Sequence, residues 1–213
     1  MLSHPQIIVI ANGKGGVGKT TTTMCLSGIF GEKLKVLAVD ADSQGSFSWW
    51  TKRTQKPLGF DITTQNNPQL LGNLRKQKGY DLIIIDTPPA LRSEALKTVL
   101  SIADYIILPT PPAPMDLAAL IDTVNTAIAA LKIPYRVLLT KVDSRSLSEA
   151  LEAQNTLLEL GIPVHHAFVR SFKAYEKAVL DGVPINKSRG KNAREAEADY
   201  RRVADELQRD WRK

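Results

Sequence analysis

The chain has 213 residues, 43% hydrophobic and 23% charged, proportions that suit one globular domain (1–213) and argue against wholesale disorder. A single cysteine, Cys25, excludes an internal disulfide and a cysteine-rich metal site. The opening run MLSHPQIIVIAN is too short in apolar residues for a signal peptide, and sequence inspection finds no stretch of about 18 apolar residues, so a soluble, cytoplasmic protein is expected. The net charge is +6. Residues 170–213 hold 12 basic and 8 acidic side chains, a basic helical segment that can attract phosphate backbones or acidic membrane, or form a solvated face.

Along the chain, short β-branched runs predict strands at 7–11 (IIVIA), 36–40 (VLAVD), 82–86 (LIIID), 105–109 (YIILP) and 136–140 (RVLLT). FDITT (60–64) and VHHAF (164–168) are weaker candidates. Continuous rather than alternating apolar runs mark strands covered on both faces. Helical patterns lie between them at 18–30, 91–102, 115–131 and 147–160. A final helix over about 193–209 places Ala193, Ala196, Tyr200, Val203 and Leu207 on one stripe. Alternating strands and helices predict an α/β fold, a mostly parallel twisted sheet with helices on both faces.

The sharpest signal is GKGGVGKT, Gly13–Thr20, between the first strand and the first helix. It fits the phosphate-loop pattern, in which glycines let successive N–H groups wrap phosphate oxygens and the helix N-terminus adds partial positive charge. It also fits G-x-G-x-x-G at Gly13, Gly15 and Gly18, with Asp40 where a dinucleotide fold would place its ribose carboxylate. Three features favour a nucleoside triphosphatase over a dehydrogenase. Lys19 and Thr20 follow the last glycine, where they can meet terminal phosphates and Mg²⁺. Asp86 ends an apolar strand in YDLIIIDTPP, a Walker B position. Asp40 is joined by Asp42 and Gln44 in VDADSQGS, an arrangement suited to metal and water positioning.

These motifs resemble those of the ParA/MinD family of deviant Walker A ATPases. KGGVGKTTT is similar to the family's deviant Walker A loop, VLAVDADSQGS to its second motif and YDLIIIDTPPA to its Walker B segment. ADYIILPTPPAPMDLAAL and HAFVRSFKAYEKAVLDGVPI resemble the family's later segments, and the likeness runs over residues 6–210. Ser43 departs from the proline usual in the second motif; the flanking acids are present, so activity is expected. The nitrogenase iron protein shares the fold and loop, but needs cluster-bridging cysteines that one cysteine cannot supply.

The resemblance implies a short ParA-type, Mg²⁺-dependent ATP hydrolase. Gly13, Lys14, Gly15, Gly16, Val17, Gly18, Lys19, Thr20 and Thr21 would bind nucleotide, with Thr140, Lys141 and Asp143 of TKVD near the base. Lys19 would hold the β- and γ-phosphates, and Lys14 would reach the partner subunit's phosphates across a homodimer. Asp42 would position the attacking water, and Thr20, Asp40 and Asp86 would serve Mg²⁺. ATP and ADP are the implied nucleotides. Non-specific DNA, bound on the nucleoid, is the implied output, with Arg170, Lys173, Lys177, Lys187, Arg189, Lys191, Arg194, Arg201 and Arg202 as candidate contacts. A ParB-like or cargo-adaptor protein would stimulate hydrolysis, and the cargo, a plasmid or a protein complex, is open. The alternative is a MinD-like membrane cycle, for which Val203, Leu207 and Trp211 offer a thin apolar stripe set among four acidic residues. Trp49–Trp50 is expected to pack rather than bind, and His165–His166 to be a strand end rather than a metal site.

Overall fold

Apolar strands with no polar alternation can only be satisfied by cover on both faces, and the computed structural model shows that cover. It describes residues 4–53, 56–90 and 93–211. The strands are β1 (Gln6–Ile10), β2 (Val36–Asp40), β3 (Asp61–Thr64), β4 (Leu82–Asp86), β5 (Tyr105–Thr110) and β6 (Tyr135–Leu139). They form one sheet in the order β3-β2-β4-β1-β5-β6, and all of its pairings are parallel. Successive residues point to opposite faces. Ile7 and Val9 of β1, and Ile83 and Ile85 of β4, join the core on one side of the sheet. Ile8, Ile10, Leu82 and Ile84 join the core on the other side.

The helices are α1 (Lys19–Phe30), α2 (Ser46–Thr51), α3 (Pro68–Gly72), α4 (Glu94–Ser101), α5 (Pro114–Thr123), α6 (Leu147–Glu159), α7 (Lys173–Asp181) and α8 (Ala193–Trp211). Residues from α3, α4, α5 and α6 build the first core, and residues from α1, α2, α7 and α8 build the second. The stripe expected on the last helix is buried in full at Ala193, Ala196, Tyr200, Val203 and Leu207.

Several boundaries differ from the sequence expectation. The predicted helix over 91–102 is seen from Glu94, its expected start at Leu91 lying outside the described residues. The helix expected over 115–131 keeps α-geometry only to Thr123, then loosens into a π-turn over Val124–Ile128 and a 3₁₀ turn over Ala129–Leu131. That continuous run, Pro114–Leu131, is long and apolar enough by length and composition to cross a membrane, against the expectation that the chain holds no such stretch. It carries Asp116 and Asp122, and its Leu120, Val124 and Ile128 are packed in the core. The weak candidate at 60–64 becomes edge strand β3. The candidate at 164–168 makes one isolated bridge, Val137 with Val164, and a second, Val142 with Arg170, follows just beyond it. Its backbone is shared between ladder bonds and side chains. The His165 N–H donates to Val137, whereas the N–H groups of His166 and Ala167 donate to the Glu206 carboxylate and the His165 carbonyl accepts from Gln154.

Trp50 is buried and donates its indole N–H to the Ala178 carbonyl at 3.2 Å; Trp49 is exposed beneath the Arg53 guanidinium. The Val203–Leu207–Trp211 stripe is occupied too, since Val203 and Leu207 are core residues and Trp211 tilts against Phe30 with centroids 5.4 Å apart.

Two features of this packing are testable. A Cβ at Gly28 would sit 2.5 Å from Asn186 Oδ1 and 2.6 Å from Pro184 Cβ, so α1 meets the 185–187 turn only because Gly28 has no side chain. Gly28→Ala is expected to destabilise by about 1–3 kcal/mol through overpacking, read as a lower urea midpoint; an unchanged midpoint contradicts the contact. Burial alone would raise the Glu206 carboxyl. Hydrogen bonds from His165 and the Ala167 and His166 N–H groups instead hold it down at about 2. A depressed native value contributes stability above the unfolded value and loses it as pH falls. Glu206→Gln should therefore flatten the acid limb of the stability curve between about pH 4.5 and 2, measured by denaturant titration at each pH.

Candidate nucleotide site

Central strand β1 pairs with β4 on one side and β5 on the other, so the chain reverses its direction of travel across the sheet there. A crevice opens at the carboxyl end of such a strand, where α/β sheets bind ligands. The loop leaving β1 fills that position. Gly16 and Gly18 take left-handed backbone (φ 74° and 99°), the conformation a side chain disfavours. Gly18 also caps α1 with no side-chain acceptor, leaving first-turn N–H groups turned to the crevice. The loop is tied at its base. Asn12 donates to the Pro109 carbonyl at 2.9 Å and accepts from the Lys14 N–H at 2.9 Å, and the Thr140 hydroxyl donates to the Val17 carbonyl at 2.8 Å.

The two lysines of the loop lie in different surroundings. Lys19 is 7% exposed, and its ammonium donates to the Lys14 carbonyl at 2.8 Å. Burial lowers its affinity for a proton, and the Asp86 and Asp42 carboxylates oppose that shift. Lys14 lies at the rim, its ammonium 2.7 Å from Asp116 Oδ1 in the first turn of α5.

Asp86 is buried behind the loop and accepts from the Thr20 hydroxyl at 2.7 Å. Burial pushes its carboxyl up to about 7; the Thr20 hydrogen bond and Lys19 pull down, while Asp40 and Asp42 push up. Asp40 stands next to it on β2, also fully buried. Both its oxygens are taken by protein donors, the Ser48 N–H and hydroxyl at 2.9 and 2.6 Å and the Asp42 N–H at 3.2 Å. Asp40, expected with Asp86 to hold a metal's hydration shell, anchors the start of α2 and the loop carrying Asp42. Among the described residues no group of three or more His, Cys, Asp or Glu could hold a metal ion. A Mg²⁺ ion suits the remaining donors, the Thr20 hydroxyl and the Asp86 carboxylate, only when phosphate oxygens and waters complete its shell.

Two cavities meet at this edge. One, of about 420 Å³, is lined by Gly15, Gly16, Gly18, Lys19, Thr20 and Thr21 together with Asp42, Gln44, Ser46 and Thr87; Gly13, Lys14 and Val17, also expected to bind nucleotide, do not line it. The other, of about 340 Å³, is lined by Thr140, Val169, Arg170, Ser171, Phe172 and Tyr175. Gly18, Thr21 and Lys141 line both, so the pair forms one elongated cleft with a polar end at the phosphate loop and an aromatic end, where a base would fit, at Phe172 and Tyr175. Lys141, expected near the base, is at the junction in left-handed backbone (φ 54°). Asp143, also expected there, lines neither cavity; its carboxylate is held by Arg145 at 2.7 Å, which keeps it at about 2. Ser171, Phe172 and Tyr175 were not anticipated. Their signal was the VHHAFVRSF segment, whose bridge of Arg170 to Val142 brings it beside TKVD at the same sheet edge. A larger hollow of about 540 Å³ lies at the opposite end of the sheet, lined by Glu32, Arg201 and Trp211, with no phosphate loop.

The basic segment divides. Arg170 is removed from the surface set: its guanidinium is bound to buried Asp199 at 2.8 Å and lies over the Phe172 ring. Arg202 pairs with the same carboxylate. Arg201 bridges Glu32 and Glu197 at the far end of the sheet, Lys177 pairs with Asp181, and Lys187 donates to the Pro57 carbonyl. Lys173, Arg189, Lys191 and Arg194 are exposed and have no ion-pair partner among the described residues.

Comparison with known proteins agrees with this geometry. Residues 8–185 match the model of the CobQ/CobB/MinD/ParA nucleotide binding domain. The chain is 58% identical over 211 residues to the maintenance of carboxysome distribution protein A of Gloeobacter kilaueensis, covering 99% of this chain and 98% of that one. It is 30% identical to the protein of the same name from Halothiobacillus neapolitanus, covering 87% and 90%. Among solved structures, the Mg-ADP complex of the septum site-determining protein MinD from Pyrococcus horikoshii superposes with a TM-score of 0.76 at 22% identity, covering 96% of this chain and 97% of that one. An ATP complex of Cyanothece McdA gives 0.74 at 17% identity, covering 97% of each. With a phosphate loop and a buried strand-end carboxylate in one crevice and a family match over residues 8–185, the chain belongs to the CobQ/CobB/MinD/ParA family of nucleotide-binding domains.

Proposed function

We propose that this protein is an ATP-hydrolysing positioning factor of the ParA branch, an ATP-gated homodimer that holds DNA without sequence preference and distributes carboxysomes. The observation that supports it best is the division of labour between Lys19, inside the cleft, and Lys14, on its rim. One lysine suffices to neutralise a nucleotide bound to its own subunit. A second cation at the rim has use where a neighbouring nucleotide approaches, as in a dimer closed over two nucleotides. The carboxysome cargo rests on the 58% identity to a full-length carboxysome distribution protein.

Phosphoryl transfer needs positioning and charge neutralisation more than covalent help from the protein. Lys19 and the first-turn N–H groups of α1 hold the terminal phosphates. Asp42, lining the phosphate end on a loop fixed by Asp40, orients the attacking water. When bound with the nucleotide, Mg²⁺ supplies neutralisation of phosphate charge, with Thr20 and Asp86 as its protein-side holders. Lys14 of the partner subunit would supply a further cation, a kind of contribution worth roughly 10³-fold or more in rate in other phosphoryl-transfer systems. Loss of the γ-phosphate removes what that cation binds, so hydrolysis loosens the dimer.

DNA contact falls to the unpaired cations: Lys173 at the start of α7, Arg189 and Lys191 in the loop between α7 and α8, and Arg194 in the first turn of α8. Each contact is weak, and doubling them by dimerisation makes binding depend on ATP. A small adaptor bound to the cargo would stimulate hydrolysis. Membrane attachment through the last helix has no free apolar stripe to use, because Val203 and Leu207 are in the core.

Two measurements test the reading. Lys19→Ala is expected to weaken ATP binding about 100-fold, a loss of charge-assisted contacts to phosphate. Lys14→Ala should still bind ATP but stay monomeric and off DNA, by light scattering and fluorescence anisotropy. DNA binding indifferent to nucleotide in wild type and both variants would sink the switch. Replacing Lys191 and Arg194 by Ala should weaken binding to unrelated DNA sequences alike. It should also reduce the slope of log affinity against log salt by about 0.9 per lost contact; an unchanged slope places DNA elsewhere.

A further inference from the structure

The ammonium of Lys14 is engaged within its own subunit. It pairs with Asp116 Oδ1 at 2.7 Å, and the Asp116 side chain is only 17% exposed against 41% for Lys14. Asp116 is well placed to hold a cation. It stands in the first turn of α5 after Pro114, where the helix N-terminus favours negative charge. The backbone of Lys14 is held as well, its N–H by the Asn12 side chain and its carbonyl by the Lys19 ammonium. Asn12 in turn donates to Pro109 on β5, the strand leading into α5. The first half of the loop is thus strapped to the β5–α5 corner by two links, Asn12 to Pro109 and Lys14 to Asp116. The third bond, Lys19 to the Lys14 carbonyl, uses the ammonium that a bound nucleotide's terminal phosphates would claim.

We propose that Asp116 is a positioning residue that parks Lys14 in its own subunit and so sets how much ATP the dimer requires. This rests on the reading that Lys14 engages the partner's nucleotide. Lys14 has one ammonium and two claimants, Asp116 at home and the triphosphate across the dimer. ADP offers less charge than ATP and competes less well with a fixed carboxylate. Drawing Lys19 toward phosphate also frees the Lys14 carbonyl, so nucleotide binding in one subunit loosens the lysine meant for the other. The pair is half-exposed, which limits its hold to the range of surface ion pairs and makes it reversible.

The test measures dimerisation against ATP and ADP concentration by analytical ultracentrifugation for wild type, Asp116→Asn, Asp116→Ser, Asp116→Glu and Lys14→Ala. Asp116→Asn is expected to lower the ATP concentration for half-dimerisation about three- to tenfold and to produce measurable dimer with ADP. Asp116→Ser, which keeps an oxygen acceptor at the helix start, should shift the same way and stands in if the asparagine variant folds poorly. Asp116→Glu, which keeps the charge, should restore the wild-type dependence. An unchanged or raised ATP requirement in the neutral variants overturns the parking role. If Lys14→Ala dimerises with ATP as wild type does, the underlying reading of Lys14 has failed. If Lys14→Ala stays monomeric while the neutral variants match wild type, only the role given to Asp116 has failed.

Discussion

Asp40 and Asp86 are buried side by side at the carboxyl ends of two paired strands. Two adjacent carboxylates out of water are unfavourable unless each finds a donor or a cation. The fold resolves this unequally. Asp40 receives three donors and becomes part of the framework, fixing α2 and the turn that carries Asp42. Asp86 receives a close hydroxyl donor from Thr20, which leaves burial as the largest influence on it. The inequality makes Asp86 the place where added positive charge is most favourable, and it lies beneath the loop that would deliver a phosphate-bound cation. The phosphate end is therefore built around an unmet electrostatic demand.

A similar logic governs the opposite face of the cleft. Helix α8 has buried Asp199 and Glu206, which a reading of the helix as an amphipathic stripe treats as solvent-facing. Asp199 holds the Arg170 guanidinium and backbone N–H, and Glu206 holds the 165–167 backbone. Two acids of the last helix thus fix the segment from His165 to Arg170, which leads into the base end of the cleft at Ser171 and Phe172. The Asp199 carboxylate pairs with Arg170 and Arg202, which leaves Lys173, Arg189, Lys191 and Arg194 as the cations of this segment with no ion-pair partner among the described residues. A segment that looks uniformly basic is divided by these partners into a structural half and a solvent-facing half.

The central strands and the phosphate loop were legible in the sequence because they rest on local rules. Buried parallel strands read as continuous apolar runs, and a glycine-rich turn into a helix has few other uses. The stripe on α8 was legible because helical period is local too. What escaped depends on side-chain partners that motif spacing does not fix. The TKVD motif does not announce that the Asp143 carboxylate is held by Arg145 two residues on, away from the cleft. Asp40 read as a metal carboxylate because its spacing from Asp42 suits one, but Ser48 lies eight residues on and takes one of its oxygens. Phe172 and Tyr175 reach the base end only after Arg170 has bridged to Val142 and been fixed by Asp199. Tertiary partners, not motif spacing, decided those roles.

The two lysines of GKGGVGKT show what the structure adds to a motif. By spacing alone they are two positive charges in one loop. In three dimensions the second donates to the carbonyl of the first, so they are mechanically joined while their charges face different anions. A ligand that draws Lys19 into the cleft acts on the peptide that carries Lys14. Coupling of this kind needs no long pathway, since one hydrogen bond joins the residue that would sense phosphate to the residue that would signal it. It also explains why the loop is anchored at Asn12 and Val17. With those anchors held, loss of the Lys19 bond is felt at the Lys14 peptide and is not spread over the whole loop.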